Sequence, residues 1–168
     1  MAKTKTVFLL ALLAAILIGG TQDVDTAVRP APHRLPGSPL HGELQTCIGD
    51  AAQAFRVPAD VLHAIIIVES GGHNVVRKNR NGSIDVGVAQ INSVNFPFIE
   101  KNLGMIPHDL KQPCQAVYAA AWLLAEKIEQ APYFEWGVGA YHSKTPSRNV
   151  AYQAKVFDTI EKLKNAQQ

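Results

Sequence analysis

The sequence predicts a mainly α-helical domain with one small hairpin or loop region. Apolar residues recur at helical spacing over 43–55, 58–70, 114–130 and 148–164. Turn-forming residues instead cluster at 73–90. Apolar residues make up 47% of the chain and charged residues 18%, which is typical of a globular protein and argues against a disordered one.

The N-terminus has the pattern of a secretory signal. Two lysines precede an apolar run at 7–18, and small residues follow it. The run is short for a transmembrane anchor, which needs about 20 apolar residues, so a cleavable signal over 1–20 is favoured, although no cleavage site is obvious. Residues 21–41 contain four prolines and are interpreted as a linker. This leaves 42–168 as one domain, a usual size for a single core.

The first two helices of the domain differ in how much of their surface is apolar. The first, 43–55, has a single apolar stripe, whereas the second is apolar around most of its circumference and is expected to be buried. The second helix begins at Pro58, because proline is tolerated in a first turn, and ends at Gly71-Gly72.

The turn-rich region follows the second helix. Asn81-Gly82 is a tight-turn signal within it, so a small hairpin or an ordered loop is expected. Four more helices are predicted: a short one from about Ser93, then 114–130, 134–141 and 148–164. A turn at 143–147 precedes the last helix. That helix is expected to bury one face, made of Val150, Ala154, Phe157 and Ile160.

Two cysteines are present, Cys47 and Cys114. An even count in an exported chain suggests a disulfide, which would close a loop of about 67 residues and stabilise the fold by roughly 3–4 kcal/mol. Two buried free thiols are the alternative. The sequence has neither a C-x-x-C motif nor the paired Cys/His spacing of a zinc site.

Charge and motifs exclude several functional classes. The net charge of +2, with no run of Lys and Arg in the domain, does not favour nucleic-acid binding. No histidine has i, i+4 helical spacing to a carboxylate that would suggest a metal site. A phosphate-binding glycine loop and a G-x-S-x-G motif are also missing.

Glu69 is the strongest candidate for chemistry. It follows Ile65 and Ile66 by one turn at the C-terminal end of the apolar second helix, so its carboxyl projects from an apolar face. Desolvation and the negative end of the helix dipole both raise its pKa. A carboxyl that is protonated near neutrality can act as a general acid. The alternative is a solvated glutamate at a helix end.

Two other motifs offer groups that suit a sugar ligand. In the segment 87–92, Gly87 allows close backbone approach, and the amides of Gln90 and Asn92 suit sugar hydroxyls and N-acetyl groups. A plain polar loop is the alternative there. In the segment 140–143, the hydroxyl of Tyr141 can orient a catalytic carboxyl, or it can simply bond the backbone within the core.

Together with Glu69-Ser70, these motifs resemble the soluble lytic transglycosylase family, which has a lysozyme-like fold. The three motifs occur in the family's order and at comparable spacing over roughly 43–163. The Pro113-Cys114 helix start and Trp136 before the segment 139–141 are supporting matches. The resemblance is closest to the small exported branch associated with type III and type IV secretion or conjugation systems.

The resemblance implies an active-site cleft that is flanked by the small hairpin or loop region. Glu69 would be the catalytic acid/base. The groups expected around the bound sugar are Ser70, Gly87, Ala89, Gln90, Asn92, Tyr141 and His142. Ala89 and His142 depart from the family, which usually has methionine and asparagine there.

The implied reaction cleaves the MurNAc-β-1,4-GlcNAc bond of peptidoglycan and leaves 1,6-anhydro-MurNAc ends. The scheme uses no metal and no organic cofactor. The implied partners are glycan strands and components of a secretion or conjugation machine, with the chain acting as a periplasmic or exported monomer that opens the wall locally.

Two other functions compete with this one. A hydrolysing lysozyme would need a second carboxylate, for which Asp85 is the candidate, although a structural role in the turn-rich region is favoured for it. A non-catalytic wall-binding or scaffold protein would use the same sugar-binding groups without turnover.

Overall fold

The computed structural model describes residues 38–166 of the chain. The proposed signal peptide and most of the linker, together with the last two residues, lie outside the described residues. No helix within residues 38–166 combines the length and the apolar character needed to cross a membrane.

Six helices and one small sheet make up the described part of the chain, as the sequence predicts. The helices are α1 (Gly42–Phe55), α2 (Ala59–Ser70), α3 (Phe96–Leu103), α4 (Pro113–Glu129), α5 (Phe134–Ala140) and α6 (Pro146–Asn165). The strands are β1 (Val76–Lys78), β2 (Ile84–Val86) and β3 (Ile91–Asn92).

Helix α2 lies at the centre of the core, as its all-round apolar surface predicts. Leu62, Ile65 and Ile66 are fully buried. The helix packs against α1 and α6. It ends at Gly71, which adopts the left-handed conformation that glycine reaches without steric penalty. The burial of α2 fixes the position of its last turn, where Glu69 lies.

The turn-rich region folds as an antiparallel sheet in the order β1-β2-β3. Strand β1 pairs with β2 around the turn that contains Asn81-Gly82, and Asp85 of β2 faces Asn92 of β3. Short strands with polar outer residues cannot form a stable hairpin alone, so the sheet depends on its contact with the helical core. The hairpin alternative of the sequence prediction is therefore the one found.

Helix α6 buries a different face from the one predicted. Val150 is 56% exposed and Ala154 is also exposed, whereas Phe157 is half-buried and Ile160 is buried. The buried positions instead are Asn149, Tyr152, Val156, Ile160 and Leu163. The prediction ranked residues by apolarity, but the packing against α2 and α5 buries one asparagine and one tyrosine that find hydrogen-bond partners. The helix also begins at Pro146, inside the predicted turn, because proline suits a first helical position.

Cys47 of α1 and Cys114 of α4 form a disulfide, with their Cα atoms 5.4 Å apart. The bond joins two helices that also pack directly on one another. The predicted disulfide is therefore present, and neither cysteine is a free thiol.

Candidate active site

A cavity of about 470 Å³ opens between the sheet and the C-terminal helices, and Glu69 lines it. One side, here called the sheet wall, consists of Asn79, Asp85, Gln90, Ile91 and Asn92. The other side, here called the helix wall, consists of Leu123, Lys127, Ala140, Tyr141, His142, Ser143 and Lys144. Val94 and Asn95 complete the lining.

Glu69 is half-buried at the end of α2, and its carboxyl has one direct side-chain partner. The Tyr152 hydroxyl donates a hydrogen bond to Glu69 Oε1 over 2.6 Å. Tyr152 lies on α6 and is only 4% exposed, so the packing of α6 against α2 fixes this contact. The carboxyl is thus held in one orientation at the edge of the cavity.

The pKa of Glu69 is raised from 4.5 to about 7. Burial is the largest cause, because desolvation disfavours the charged carboxylate. The hydrogen bond from Tyr152 opposes it, the negative charge of Asp85 raises the pKa further, and the positive charges of Arg77 and Lys155 lower it. The upward shift expected from the sequence is confirmed, and the carboxyl is substantially protonated at neutral pH.

The tyrosine that orients Glu69 is Tyr152, which the sequence did not single out. The Tyr141 hydroxyl instead donates to the backbone carbonyl of Ala89 over 3.2 Å, the second of the two roles considered for it. Tyr141 still lines the cavity, and burial raises its pKa well above the usual value, with the charge of Glu69 as the second cause. A signal for Tyr152 was present in the helical spacing of Asn149, Tyr152 and Val156, but two of these three residues are not aliphatic.

The sheet wall is a closed hydrogen-bond network around Asp85. The side-chain amide of Asn92 donates to Asp85 Oδ1 over 2.7 Å, and that of Asn79 donates to Oδ2 over 2.9 Å. The same two amides also donate to the Ser83 hydroxyl. Asp85 of β2 therefore ties β3 to the turn that joins β1 and β2, which agrees with the structural role favoured for it from the sequence.

Gln90 forms the inner corner of the sheet wall in an unusual backbone conformation. Its φ of 46° is left-handed, which is uncommon for any residue other than glycine. The side-chain amide donates to the carbonyls of Gly87 and Val75, which anchors the conformation. Its Oε1 is buried and has no hydrogen-bond partner among residues 38–166. Such an acceptor is suited to receive an N–H or O–H from a ligand or a water.

Three of the predicted sugar-binding residues lie behind the cavity surface. The Ser70 hydroxyl donates to the Val88 carbonyl over 2.6 Å and accepts from the backbone N–H of Gly72. Gly87 has a φ of 78°, and a Cβ there would collide with the Leu110 carbonyl. Ala89 is fully buried. These residues support the sheet wall, whereas Gln90, Asn92, Tyr141 and His142 line the cavity.

His142 of the helix wall stacks on Tyr152 of α6. The His142 ring lies parallel to the Tyr152 ring, with centroids 4.9 Å apart and an interplanar angle of 5°. Partial burial lowers the pKa of His142, and the positive charges of Lys155 and Arg148 lower it further, so the ring is mostly neutral at pH 7. A flat neutral ring therefore covers the tyrosine that holds Glu69.

Comparison with known proteins gives a consistent result. Residues 46–162 match the family model of the transglycosylase SLT domain, in agreement with the mainly helical, lysozyme-like fold predicted. The chain is 32% identical over 124 residues to invasion protein IagB of Salmonella typhimurium, a match that covers 70% of this chain and 77% of the relative.

Two further relatives have comparable coverage. Protein IpgF of Shigella flexneri is 31% identical over 119 residues, which is 68% of this chain and 76% of that protein. A peptidoglycan-binding-like protein of Escherichia coli O157:H7 is 25% identical over 130 residues, which is 70% and 77% of the two chains.

Proposed function

Because the chain belongs to the transglycosylase SLT domain family, and therefore to a family of peptidoglycan-acting enzymes, we propose that it is a lytic transglycosylase with Glu69 as its acid/base. The main support is the state of that carboxyl. It lines a cavity, its pKa is raised to about 7, and a buried tyrosine holds its orientation. A carboxyl with a pKa near the working pH can both donate and accept a proton, which the reaction requires.

In the first step, protonated Glu69 donates its proton to the oxygen that links MurNAc C1 to the GlcNAc leaving group. The C1–O bond breaks and an oxocarbenium-like centre develops at C1. The substrate's own N-acetyl oxygen shields this centre. For this reason no second carboxylate is needed.

In the second step, the 6-hydroxyl oxygen of the same MurNAc attacks C1 and its proton passes to the Glu69 carboxylate. A 1,6-anhydro ring closes, no water is consumed, and Glu69 returns to its protonated form. Between the two steps the negative charge on Glu69 is stabilised by the hydrogen bond from Tyr152.

The proposed substrate contacts follow the lining of the cavity. Gln90 and Asn92 on the sheet wall, with Tyr141 and His142 on the helix wall, contact the sugars on either side of the cleaved bond. Ser70, Gly87 and Ala89 act indirectly, by fixing the shape of the sheet wall.

A hydrolysing lysozyme is the competing enzymatic function. In that case Asp85 would assist an attacking water. Both oxygens of Asp85 already accept hydrogen bonds from asparagine amides, which favours a structural role. This observation supports the non-hydrolytic reaction over the hydrolytic one.

The proposed site of action is the cell wall, outside the cytoplasmic membrane. A signal peptide over 1–20 would export the chain, and the disulfide between Cys47 and Cys114 suits an oxidising compartment. Similarity to an invasion protein of Salmonella supports a role in opening the wall locally for a secretion or conjugation apparatus.

Mass spectrometry of fragments released from purified sacculi tests the proposal. We expect 1,6-anhydro-MurNAc ends from the parent protein and no release by Glu69→Gln. Reducing MurNAc ends would instead identify a lysozyme. Sacculus binding without release by either protein would identify the non-catalytic wall-binding or scaffold function.

A further inference from the structure

The helix wall carries two lysines, Lys127 and Lys144, that have no role in the proposed reaction. Lys127 lies in the last turn of α4 and is half-buried, and Lys144 lies in the loop between α5 and α6. Both side chains line the same cavity as Glu69. They are 17 positions apart in sequence and are brought together because α5 folds back against α4 and α6.

Neither ammonium group has an ion pair or a hydrogen bond with any residue in the described part of the chain. The ion pairs of lysine in the described part of the chain lie on the outer surface of α6, where Lys162 is 2.7 Å from Asp158 and Lys164 is 3.0 Å from Glu161. The two lysines therefore line one cavity without an anionic partner among residues 38–166.

No carboxylate among residues 38–166 contacts either lysine directly. Burial lowers the pKa of Lys127, and the positive charge of Lys144 lowers it further, while the neighbouring Glu126 opposes the shift only in part. Asp85 lies across the cavity, where its carboxylate accepts hydrogen bonds from two asparagine amides and forms no ion pair with either lysine. An anionic group that entered the cavity would relieve the repulsion between the lysines.

The chemistry of the proposed substrate points to one kind of anion. A β-1,4 glycan of N-acetylated sugars is neutral in its backbone, and its charge is carried on muramic acid. The lactyl side chain of muramic acid ends in a carboxylate when it is bare, and it bears further carboxylates when a stem peptide is attached. Ammonium groups bind carboxylates through charge-assisted hydrogen bonds.

We propose that Lys127 and Lys144 form a carboxylate-binding subsite for the lactyl or stem-peptide carboxylates of muramic acid. The subsite makes the cavity select muramyl-bearing strands over neutral β-1,4 glycans. The amides of the sheet wall suit hydroxyl and N-acetyl groups, which both kinds of glycan share, so the helix wall is the part that discriminates between them. This inference rests on the proposed function for the identity of the glycan, but its test does not need turnover.

Equilibrium binding in the Glu69→Gln background tests the subsite, because the bound strand stays intact. Three ligands of matched length are compared: a peptide-bearing glycan fragment, the same fragment with its peptides removed by an amidase, and a neutral chito-oligosaccharide. Each ligand is titrated into the Glu69→Gln protein with and without the additional substitutions Lys127→Gln and Lys144→Gln. The matched control is Lys162→Gln, a charge change at a 74% exposed side chain outside the cavity.

We expect the double variant to lose about tenfold in affinity for the anionic fragments and to keep its affinity for the neutral oligosaccharide. The loss should shrink at high salt, and Lys162→Gln should bind like the parent. A loss confined to peptide-bearing fragments assigns the subsite to the stem peptide, and an equal loss with stripped fragments assigns it to the lactyl carboxylate.

Equal losses for neutral and anionic ligands, or no loss for any ligand, would overturn the subsite. Product analysis of the parent protein decides the proposed function separately. A protein that releases no anhydro ends but still shows the charge-selective binding would retain the subsite and lose the transglycosylase mechanism.

Discussion

The two walls of the cavity differ in whether their charged side chains have hydrogen-bond or ion-pair partners in the free protein. On the sheet wall, the hydrogen-bonding groups of Asp85 have partners within the wall, since Asn79 and Asn92 donate to both of its oxygens. On the helix wall, Lys127 and Lys144 have no partner among residues 38–166. A polar group that is fully satisfied in the free protein contributes to the fold, whereas one that is left unsatisfied is available to a ligand.

Glu69 lies between these walls. Its carboxyl has a hydrogen-bond partner within the protein and is also available to a ligand in the cavity. One carboxyl oxygen is held by Tyr152, and burial raises the pKa of the carboxyl to about 7. It therefore differs from Asp85, the other carboxyl in the cavity, although both are acids of similar intrinsic strength. Environment and not residue type decides which of the two is suited to proton transfer.

Replacing Glu69 and Asp85 in turn by their amides should give the largest difference in turnover. Glu69→Gln is expected to lower turnover of sacculi by roughly 10²- to 10⁴-fold, because the proton donor is lost. Asp85→Asn should lower it by less than about tenfold, since Asp85 affects the rate only through the pKa of Glu69. Comparable losses in the two variants, measured as kcat on the same sacculi, would place Asp85 in the chemistry.

The pH dependence of stability should distinguish Glu69 from an ordinary surface glutamate. Folded Glu69 has a pKa of about 7, and the ordinary value is 4.5. Between these values the folded state holds more protons than the unfolded state, so the free energy of unfolding falls as pH rises and levels off above pH 7. The total loss is about 3 kcal/mol.

Glu69→Gln removes this titration. Its stability relative to the parent should therefore rise between about pH 4.5 and 7, by up to about 3 kcal/mol, as measured by urea unfolding at fixed ionic strength. Glu100→Gln, a change on an exposed residue of α3, serves as the control. A constant difference between Glu69→Gln and the parent across this range would mean that Glu69 is solvated.

The two walls should also differ in their contribution to folding. Asn79→Ala removes a donor to Asp85 and is expected to lower the free energy of unfolding by about 1–3 kcal/mol. Lys144→Gln should change it by less than about 0.5 kcal/mol, because the lysine has no partner to lose. Urea midpoints of the two variants provide the measurement, and a stability loss in Lys144→Gln as large as that in Asn79→Ala would remove the distinction between the walls.

Tyr152→Phe is the mildest test. The hydroxyl lowers the pKa of Glu69 by bonding its charged form, so its removal should move the alkaline limb of the activity profile upward by less than about one pH unit. Tyr118→Phe is the matched control, because that ring packs edge-on against Phe55 and does not line the cavity. A limb that stays in place in Tyr152→Phe would mean that the tyrosine only fills space.

The helices were the easiest part to predict, because helical spacing and helix-end residues are local signals. The predicted bounds of α1, α2 and α4 agree with the structure to within one residue. The buried face of α6 was predicted incorrectly, since apolarity favoured Val150 over Tyr152. A buried tyrosine is acceptable when its hydroxyl finds a partner, and that partner, Glu69, is 83 positions away in sequence.

The sequence by itself determined the mainly helical class and the family, because each depends on residue types at short or fixed spacing. It indicated a raised pKa for Glu69 but left a solvated glutamate open, since the burial that raises the pKa is tertiary. Tertiary structure alone decided that Tyr152 and not Tyr141 holds the carboxyl, that Asp85 accepts from two asparagine amides, and that Lys127 and Lys144 line one cavity. These contacts arise from the packing of separate elements. Their geometry depends on how each helix and strand is rotated against its neighbours, which no local pattern specifies.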